Sequence, residues 1–189
     1  MIIRPFKPTD APDLTEILHA AVHVIGARDY TPEQLRAWSP APMPSQDYVT
    51  RVADGRTVLV ALGASERPVA FIEIEADGHI DCFYCHPDFA GSGVGRALFR
   101  HALSHAIKAD CPRLFVEASA AARRFFLREG FVVIARREFL RRNLIIHNYA
   151  MEKKLGSGGA CHIGPFRDVK HRGDQPAGIL LAQPNKGLT

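Results

Sequence analysis

The feature that most constrains the fold is a glycine-rich segment, Gly91-Ser92-Gly93-Val94-Gly95, between a predicted strand and a predicted helix. Glycine lets a backbone turn tightly and lets a ligand approach it closely. The free N–H groups and partial positive charge at a helix start attract anions. The segment therefore predicts a phosphate-binding loop, and the alternative is a structural turn that binds nothing.

Two common nucleotide-binding motifs fit this loop poorly. A Walker loop ends in Gly-Lys-Ser/Thr, whereas this loop continues as Gly95-Arg96-Ala97. A dinucleotide fingerprint needs G-x-G-x-x-G/A after the first strand of a parallel β-α-β unit. Counted from Gly91, the last position is Arg96, and the loop follows a predicted antiparallel meander. Both nucleotide interpretations are therefore weaker than that of another phosphate-bearing ligand.

Hydrophobic periodicity predicts one mixed α/β domain over residues 1–155. Helices are expected to begin at Thr9 or Asp10, at Thr31, at Ser45, after the glycine loop and at Ser119. The segment Thr31-Pro32-Glu33-Gln34 has the pattern of a capping box. Alternating apolar runs predict strands over residues 2–6, 57–62, 69–75, 79–85, 114–118, 131–134 and 145–151.

Residues 156–189 have a different composition, with seven Gly and three Pro and no sustained periodicity. This pattern predicts a flexible C-terminal tail. No apolar run in the sequence approaches the roughly 20 residues of a membrane span. The first residues also lack the pattern of a signal peptide, so a cytoplasmic protein without membrane contact is expected.

The charge pattern argues against nucleic acid as a partner. The formal net charge is +4 at pH 7, and the basic residues are dispersed rather than arranged in a stripe with aromatics. The segment Cys82-Phe83-Tyr84-Cys85-His86 matches the spacing of haem-attachment and zinc motifs. In a strand, however, residues three apart point to opposite faces, so buried structural cysteines and no metal site are expected.

Two linked segments resemble the motifs of one family. Residues 78–87 with the glycine loop resemble motif A of the GCN5-related N-acetyltransferases (GNAT), and Ser119-x-x-Ala122-x-x-Phe125-Phe126-x-x-x-Gly130-Phe131 resembles motif B. The resemblance covers about residues 1–155. It departs from the family at three positions: Ala90 replaces Gln or Arg, Ser119 replaces Asn, and Phe126 replaces a frequent Tyr.

The resemblance implies a mixed, mostly antiparallel sheet with helices on both faces. It also implies transfer of an acetyl group from acetyl-CoA to a primary amine of a small molecule or peptide. The alternative with the same fold is a regulatory module that binds acyl-CoA without turnover. The expected partners are thus the cosubstrate and an amine, and the chain could also form a homodimer.

The resemblance also implies which residues would hold the cofactor. The backbone of Phe83 and Cys85 would pair with the pantetheine arm. The loop residues would hold the pyrophosphate, and motif B would line the other side. These two sets are Gly91, Ser92, Gly93, Val94, Gly95 and Arg96, and Ser119, Ala122 and Phe125.

Candidates for proton transfer lie on the motif A strand. His79 is the predicted general base, with Asp81 orienting it or acting itself, because an ordinary imidazole titrates near neutrality. Glu73 and Glu117, on neighbouring strands near the expected acceptor site, are alternative candidates for the general base. Tyr84 is the predicted proton donor to the departing thiolate, with Tyr149 or water as alternatives.

The acceptor site is expected under the segment 30–38 and the proline-rich loop that follows it. Trp38 could stack on a flat substrate or fill the core.

Overall fold

The computed structural model describes residues 1–156, so the predicted tail beyond Gly156 lies outside the described residues. The helices are α1 Ala11–Ile25, α2 Pro32–Trp38, α3 Ser45–Arg51, α4 Val94–Lys108 and α5 Ala120–Arg128. The strands are β1 Ile2–Pro5, β2 Thr57–Leu62, β3 Pro68–Ile74, β4 Ile80–Cys85, β5 Arg113–Ala118, β6 Val132–Arg141 and β7 Leu144–Lys154. Of these helices, none is long and apolar enough to cross a bilayer.

The strands form two antiparallel sheets that meet at one point. The first has the order β1-β2-β3-β4, and the second has the order β5-β7-β6. A parallel bridge between His79 and Phe115 joins them, and the Phe115 N–H donates to the Gly78 carbonyl at 3.1 Å. Beyond this bridge β4 and β5 have no ladder between them and leave an open edge on each sheet. The predicted mixed, mostly antiparallel α/β fold is confirmed.

Aromatic side chains fill the space between β4 and the helices α4 and α5. Phe99 of α4 lies 6.3 Å from Phe83 of β4 and 5.9 Å from Phe126 of α5, measured between ring centroids. Phe131 lies 4.7 Å from Phe126 and closes the cluster. Phe126 is fully buried here. The residue that replaces the family's frequent Tyr therefore serves the core.

Two predicted helix starts are confirmed by their capping bonds. Thr31 Oγ1 accepts from the Gln34 N–H at 3.3 Å, and Gln34 Oε1 accepts from the Thr31 N–H at 2.9 Å. Ser119 Oγ accepts from the Ala122 N–H at 3.2 Å at the start of α5. The helix predicted at Ser45 begins there, with Pro44 rather than a serine side chain at the capping position.

The last hairpin is longer than the sequence predicted. Strand β6 runs to Arg141, well past the predicted end at Ile134, and a two-residue turn at Arg142 and Asn143 leads into β7. Both turn residues have positive φ, 45° and 63°, as the tightest hairpin turns require. Four of the last six residues of β6 are charged, and three of them are consecutive, which obscures the apolar period on which strand prediction depends.

Candidate active site

A cleft of about 420 Å³ opens where β4 and β5 diverge. Its walls come from the end of α1, the end of β4, the glycine loop and one face of α5. The lining residues are Ile25, Arg28, Cys85, Phe89, Ala90, Gly91, Gly93, Gly95, Arg96, Ala121, Arg124, Phe125, Arg128 and Glu129.

The glycine loop forms one end of this cleft and leads directly into α4. Gly91 and Gly93 have φ of 82° and 92°, a left-handed conformation that side chains rarely adopt. A Cβ built at either position would meet no atom within 4 Å, so the space beside the loop is open to a ligand. The first intrahelical bond runs from the Ala97 N–H to the Gly93 carbonyl, so the N–H groups of residues 94–96 have no intrahelical acceptor. The Ser92 N–H, by contrast, donates to the Phe89 carbonyl at 3.2 Å. This arrangement suits a phosphate group.

The open edge of β4 forms the second wall. The His86 N–H donates to the Val69 carbonyl of the β3 segment at 2.8 Å. Because successive residues of a strand direct their N–H groups to opposite edges, Cys85 and Phe83 direct theirs away from β3, where β5 has diverged. These backbone groups can pair with an extended ligand as an added strand would. Burial raises the pKa of the Cys85 thiol to about 11, so the thiol stays protonated at neutral pH.

The cleft brings together part of the predicted cofactor set. Cys85, Gly91, Gly93, Gly95, Arg96 and Phe125 line it, whereas Phe83, Ser92, Val94, Ser119 and Ala122 do not. The Phe83 side chain belongs to the aromatic cluster, 5.1 Å from the Phe125 ring centroid. Ser119 and Ala122 are fully buried, since one caps α5 and the other packs on the core. Ser119 can therefore position α5 but presents no atom to the cleft.

Sequence reasoning missed the segment between α1 and α2. Arg28 of this segment lines the cleft, and Asp29 bonds both terminal nitrogens of Arg124 at 2.8 Å. The Tyr30 hydroxyl accepts from the Ala120 N–H and donates to the His147 carbonyl, both at 3.1 Å. Because Ala120 is the first residue of α5, this segment ties the helix start to β7. The helical spacing of Ala121, Phe125 and Arg128 could have predicted the α5 contribution.

His79 lies between two carboxylates at the bridge where the two sheets meet. Its Nδ1 is 3.2 Å from Glu75 Oε2 and its Nε2 is 2.8 Å from Glu117 Oε2. Carboxylates only accept hydrogen bonds, so both ring nitrogens carry protons and the imidazole is charged. Burial lowers the pKa of His79, but its bonds to Glu117 and Glu75 outweigh burial and raise it to about 10. In this state His79 has no free lone pair with which to deprotonate an amine.

Asp81 and Glu73 are fully buried beside two arginines. Arg51 contacts Glu73 and lies 2.9 Å from Asp81, and Arg56 lies 2.9 Å from Glu73 and contacts Asp81. The Tyr48 hydroxyl donates to Glu73 Oε1 at 2.8 Å. Together with His79, this makes a charge-compensated network rather than a set of free acids, as buried charges require.

Two groups in this network bring metal-binding atom types together. Glu73, Asp81 and Cys82 form one, and Glu75, His79 and Asp81 form the other, with ligand atoms within 4.8 Å of one another. The carboxylates of both groups bond to guanidinium or imidazolium nitrogens, which occupy the positions that a cation would take. The expectation of no metal stays a prediction.

The remaining predicted residues are enclosed in the core. The Tyr84 hydroxyl is fully buried with no hydrogen-bond partner among residues 1–156, and burial raises the tyrosine's pKa well above its usual value. Trp38 is 2% exposed and packs edge-on against Tyr30 and Phe139. Glu117 is also buried and is held by His79 and Arg137. In this structure Trp38 fills the core and presents no ring face on which a flat substrate could stack.

Comparisons with known proteins agree with this geometry. Residues 26–153 match the family model described as an acetyltransferase (GNAT) domain, so the chain belongs to the GNAT family and is an enzyme of the acyltransferase class. It is 29% identical over 152 residues to the uncharacterized N-acetyltransferase YafP of Escherichia coli (strain K12), covering 80% of this chain and 95% of YafP.

Two solved structures show the same fold. The first is a GCN5-related N-acetyltransferase from Rhodopseudomonas palustris, with a TM-score of 0.75 and 31% identity over 82% of this chain and 95% of that chain. The second is yncA from Salmonella typhimurium with its cofactor acetyl-CoA. Its TM-score is 0.66 at 19% identity, over 87% of this chain and 99% of that chain.

Proposed function

We propose that this enzyme transfers the acetyl group of acetyl-CoA directly to a primary amine of a small molecule or peptide. The observation that carries the proposal is the cleft between the end of β4 and the helix α5, which ends at the glycine loop before α4. The family membership of residues 26–153 supports the same chemistry.

The cleft suits an extended thioester with a charged end. Its glycine loop would hold the diphosphate through backbone N–H groups. The edge of β4 at Phe83 and Cys85 would pair with the pantetheine arm, which directs the thioester toward the start of α5. An N–H group of this edge, such as that of Cys85, could then polarise the acetyl carbonyl as the amine attacks.

The proton of the attacking amine is not assigned to His79, which the sequence predicted as the general base. Because His79 is charged between Glu75 and Glu117, it acts in this proposal by positioning those carboxylates. Solvent or a carboxylate of the network, Glu117 included, takes the proton of the amine. Tyr84 stays the predicted donor to the thiolate, with water as the alternative, because the Tyr84 hydroxyl is fully buried and does not line the cleft. A leaving thiol with a pKa not far above neutrality needs little help from an acid.

The test is a panel of amines, incubated with acetyl-CoA and read by release of free CoA thiol. We expect release with at least one amine, above the rate of hydrolysis without amine. Acetyl-CoA should also raise the melting temperature. Thermal stabilisation without turnover of any amine would favour the non-catalytic acyl-CoA-binding module. Neither stabilisation nor turnover would contradict the proposal.

A further inference from the structure

The cofactor cleft has a cationic rim that local acids only partly neutralise. Four arginines line the cleft: Arg28, Arg96, Arg124 and Arg128. Two of them have acidic partners, since Arg96 Nε lies 3.0 Å from Glu129 Oε1 and Arg124 is bonded by Asp29. These pairs fix two guanidinium groups to the walls.

The other two arginines differ. Neither Arg28 nor Arg128 has a carboxylate within 4.0 Å among residues 1–156. They come from separate elements, the segment after α1 and the last turn of α5, and both are exposed. Arg128 follows Phe125 by three residues and Ala121 by seven, which places it on the helix face that lines the cleft. Two uncompensated positive charges therefore face one cavity.

The glycine loop alone does not account for this charge. A helix start with free N–H groups matches one phosphate or diphosphate group. Position 90 is an alanine, so it adds no side-chain donor. Coenzyme A carries a diphosphate and also a separate phosphate on the ribose 3′-oxygen. The diphosphate suits the loop, and the 3′-phosphate, with close to two negative charges, needs its own partner.

We propose that Arg28 and Arg128 together bind the ribose 3′-phosphate of coenzyme A. They make the enzyme select CoA over 3′-dephospho-CoA. This inference rests on the proposed function, because it requires a CoA thioester in the cleft. Arginine suits the role, since its planar fork gives two directed, charge-assisted hydrogen bonds to phosphate oxygens. The Asp29–Arg124 pair holds the segment that carries Arg28 against α5, so the backbone of Arg28 is fixed beside the cleft.

The test compares two ligands that differ only in the 3′-phosphate. Calorimetry with CoA and with 3′-dephospho-CoA is run on the unmodified enzyme, on Arg28→Ala and on Arg128→Ala. The unmodified enzyme should bind CoA about tenfold or more tightly than 3′-dephospho-CoA. Each variant should lose about tenfold in affinity for CoA while its affinity for 3′-dephospho-CoA stays within about twofold. Arg100→Ala, an exposed arginine of α4 that does not line the cleft, is the matched control and should bind both ligands normally.

The outcomes separate this inference from the proposed function. Equal binding of the two ligands by the unmodified enzyme would overturn the role of the arginines and leave acetyl-CoA as cosubstrate. An equal loss of affinity for both ligands in the variants would also overturn it. The arginines would then bind the diphosphate, or attract both ligands through their positive charge alone. Failure of the unmodified enzyme to bind either ligand would contradict the proposed function itself. Melting curves without ligand check that each variant is folded, and Arg28→Lys supplies a second, conservative test.

Discussion

The Nε2 atom of His79 lies 2.8 Å from Oε2 of Glu117, so one ion pair joins β4 to β5 where the strands diverge. The ring of His79 also stacks on Phe115, with centroids 5.0 Å apart. Beyond this point the end of β4 lines the cleft on one side, and α5, which follows β5, lines it on the other. The contact between the two sheets therefore includes a charged histidine that the sequence alone would identify as a titrating base.

The charged state of His79 predicts a stability that falls at alkaline pH. Because its folded pKa is about 10 and its ordinary value is 6.5, its contribution is fully present below pH 6.5 and is lost as pH rises to about 10. Across this window the free energy of unfolding should fall by up to about 1.4 kcal/mol per pH unit relative to His79→Gln. Denaturant titrations of both proteins between pH 6 and 10 measure this difference.

The control for this experiment is His101→Gln, an exposed histidine of α4. It should follow the unmodified enzyme at every pH. The bond to His79 lowers the pKa of Glu75, so the stability that Glu75 contributes is lost only as pH falls through that lowered pKa. Glu75 therefore does not produce a loss of stability between pH 6 and 10. A difference between His79→Gln and the unmodified enzyme that stays constant from pH 6 to 10 would contradict a charged His79.

The glycine loop can be tested against a glycine of the same conformation elsewhere. Gly93 and Gly55 have φ of 92° and 88°, and an added Cβ would meet no atom within 4 Å at either. Alanine at each position should therefore cost a similar 1–2 kcal/mol or so of stability, from backbone strain alone. Gly93→Ala should in addition weaken CoA binding at least about tenfold, because the new methyl group occupies the ligand's side of the loop.

Calorimetry with CoA and denaturant titration on both variants separate these effects. If Gly93→Ala and Gly55→Ala bind CoA equally well, the loop is only a turn and the main support for the cofactor is lost.

The local features of this fold could be predicted from sequence, because each depends on neighbouring residues. The capping bonds of Thr31 and Ser119 and the strand 57–62 are examples. The glycine loop was also evident, since the positive φ of Gly93 is a property of one residue type. Strand β6 was predicted too short because its second half is mostly charged and lacks an alternating apolar pattern.

The chemistry of the site was harder to predict because it depends on distant partners. Glu73 and Asp81 looked like free acids until α3 and the following turn brought Arg51 and Arg56 against them. His79 looked like an ordinary base until Glu117, 38 residues away, closed the second hydrogen bond. No local sequence pattern predicts these contacts between residues that are distant in the sequence.

The tail can be tested by truncation after Gly156. The Leu155 N–H donates to the Pro112 carbonyl at 3.0 Å, and Leu155 is buried, so the domain needs the chain to this point. The composition of residues 156–189 predicts that the remainder contributes little. We expect the truncated chain to keep its melting temperature within about 2 °C and its affinity for CoA within about twofold. A larger loss in either measurement would show that residues beyond Gly156 pack on the domain, and truncation after Leu144, inside β7, serves as the unfolding control.

Tyr84 gives opposite predictions for stability and for catalysis. Its hydroxyl is buried without a hydrogen-bond partner among residues 1–156, which costs about 1–3 kcal/mol in a typical core. Tyr84→Phe removes that atom and keeps the ring that packs 5.5 Å from Phe71, so the free energy of unfolding should rise or stay unchanged. If Tyr84 donates the proton to the departing thiolate, the same variant should lower kcat by about tenfold or more while the KM for acetyl-CoA stays constant. Tyr30→Phe is the matched comparison, because its hydroxyl bonds Ala120 and His147, and its loss should destabilise the fold. An unchanged kcat in Tyr84→Phe would assign the proton to water and leave Tyr84 as a packing residue.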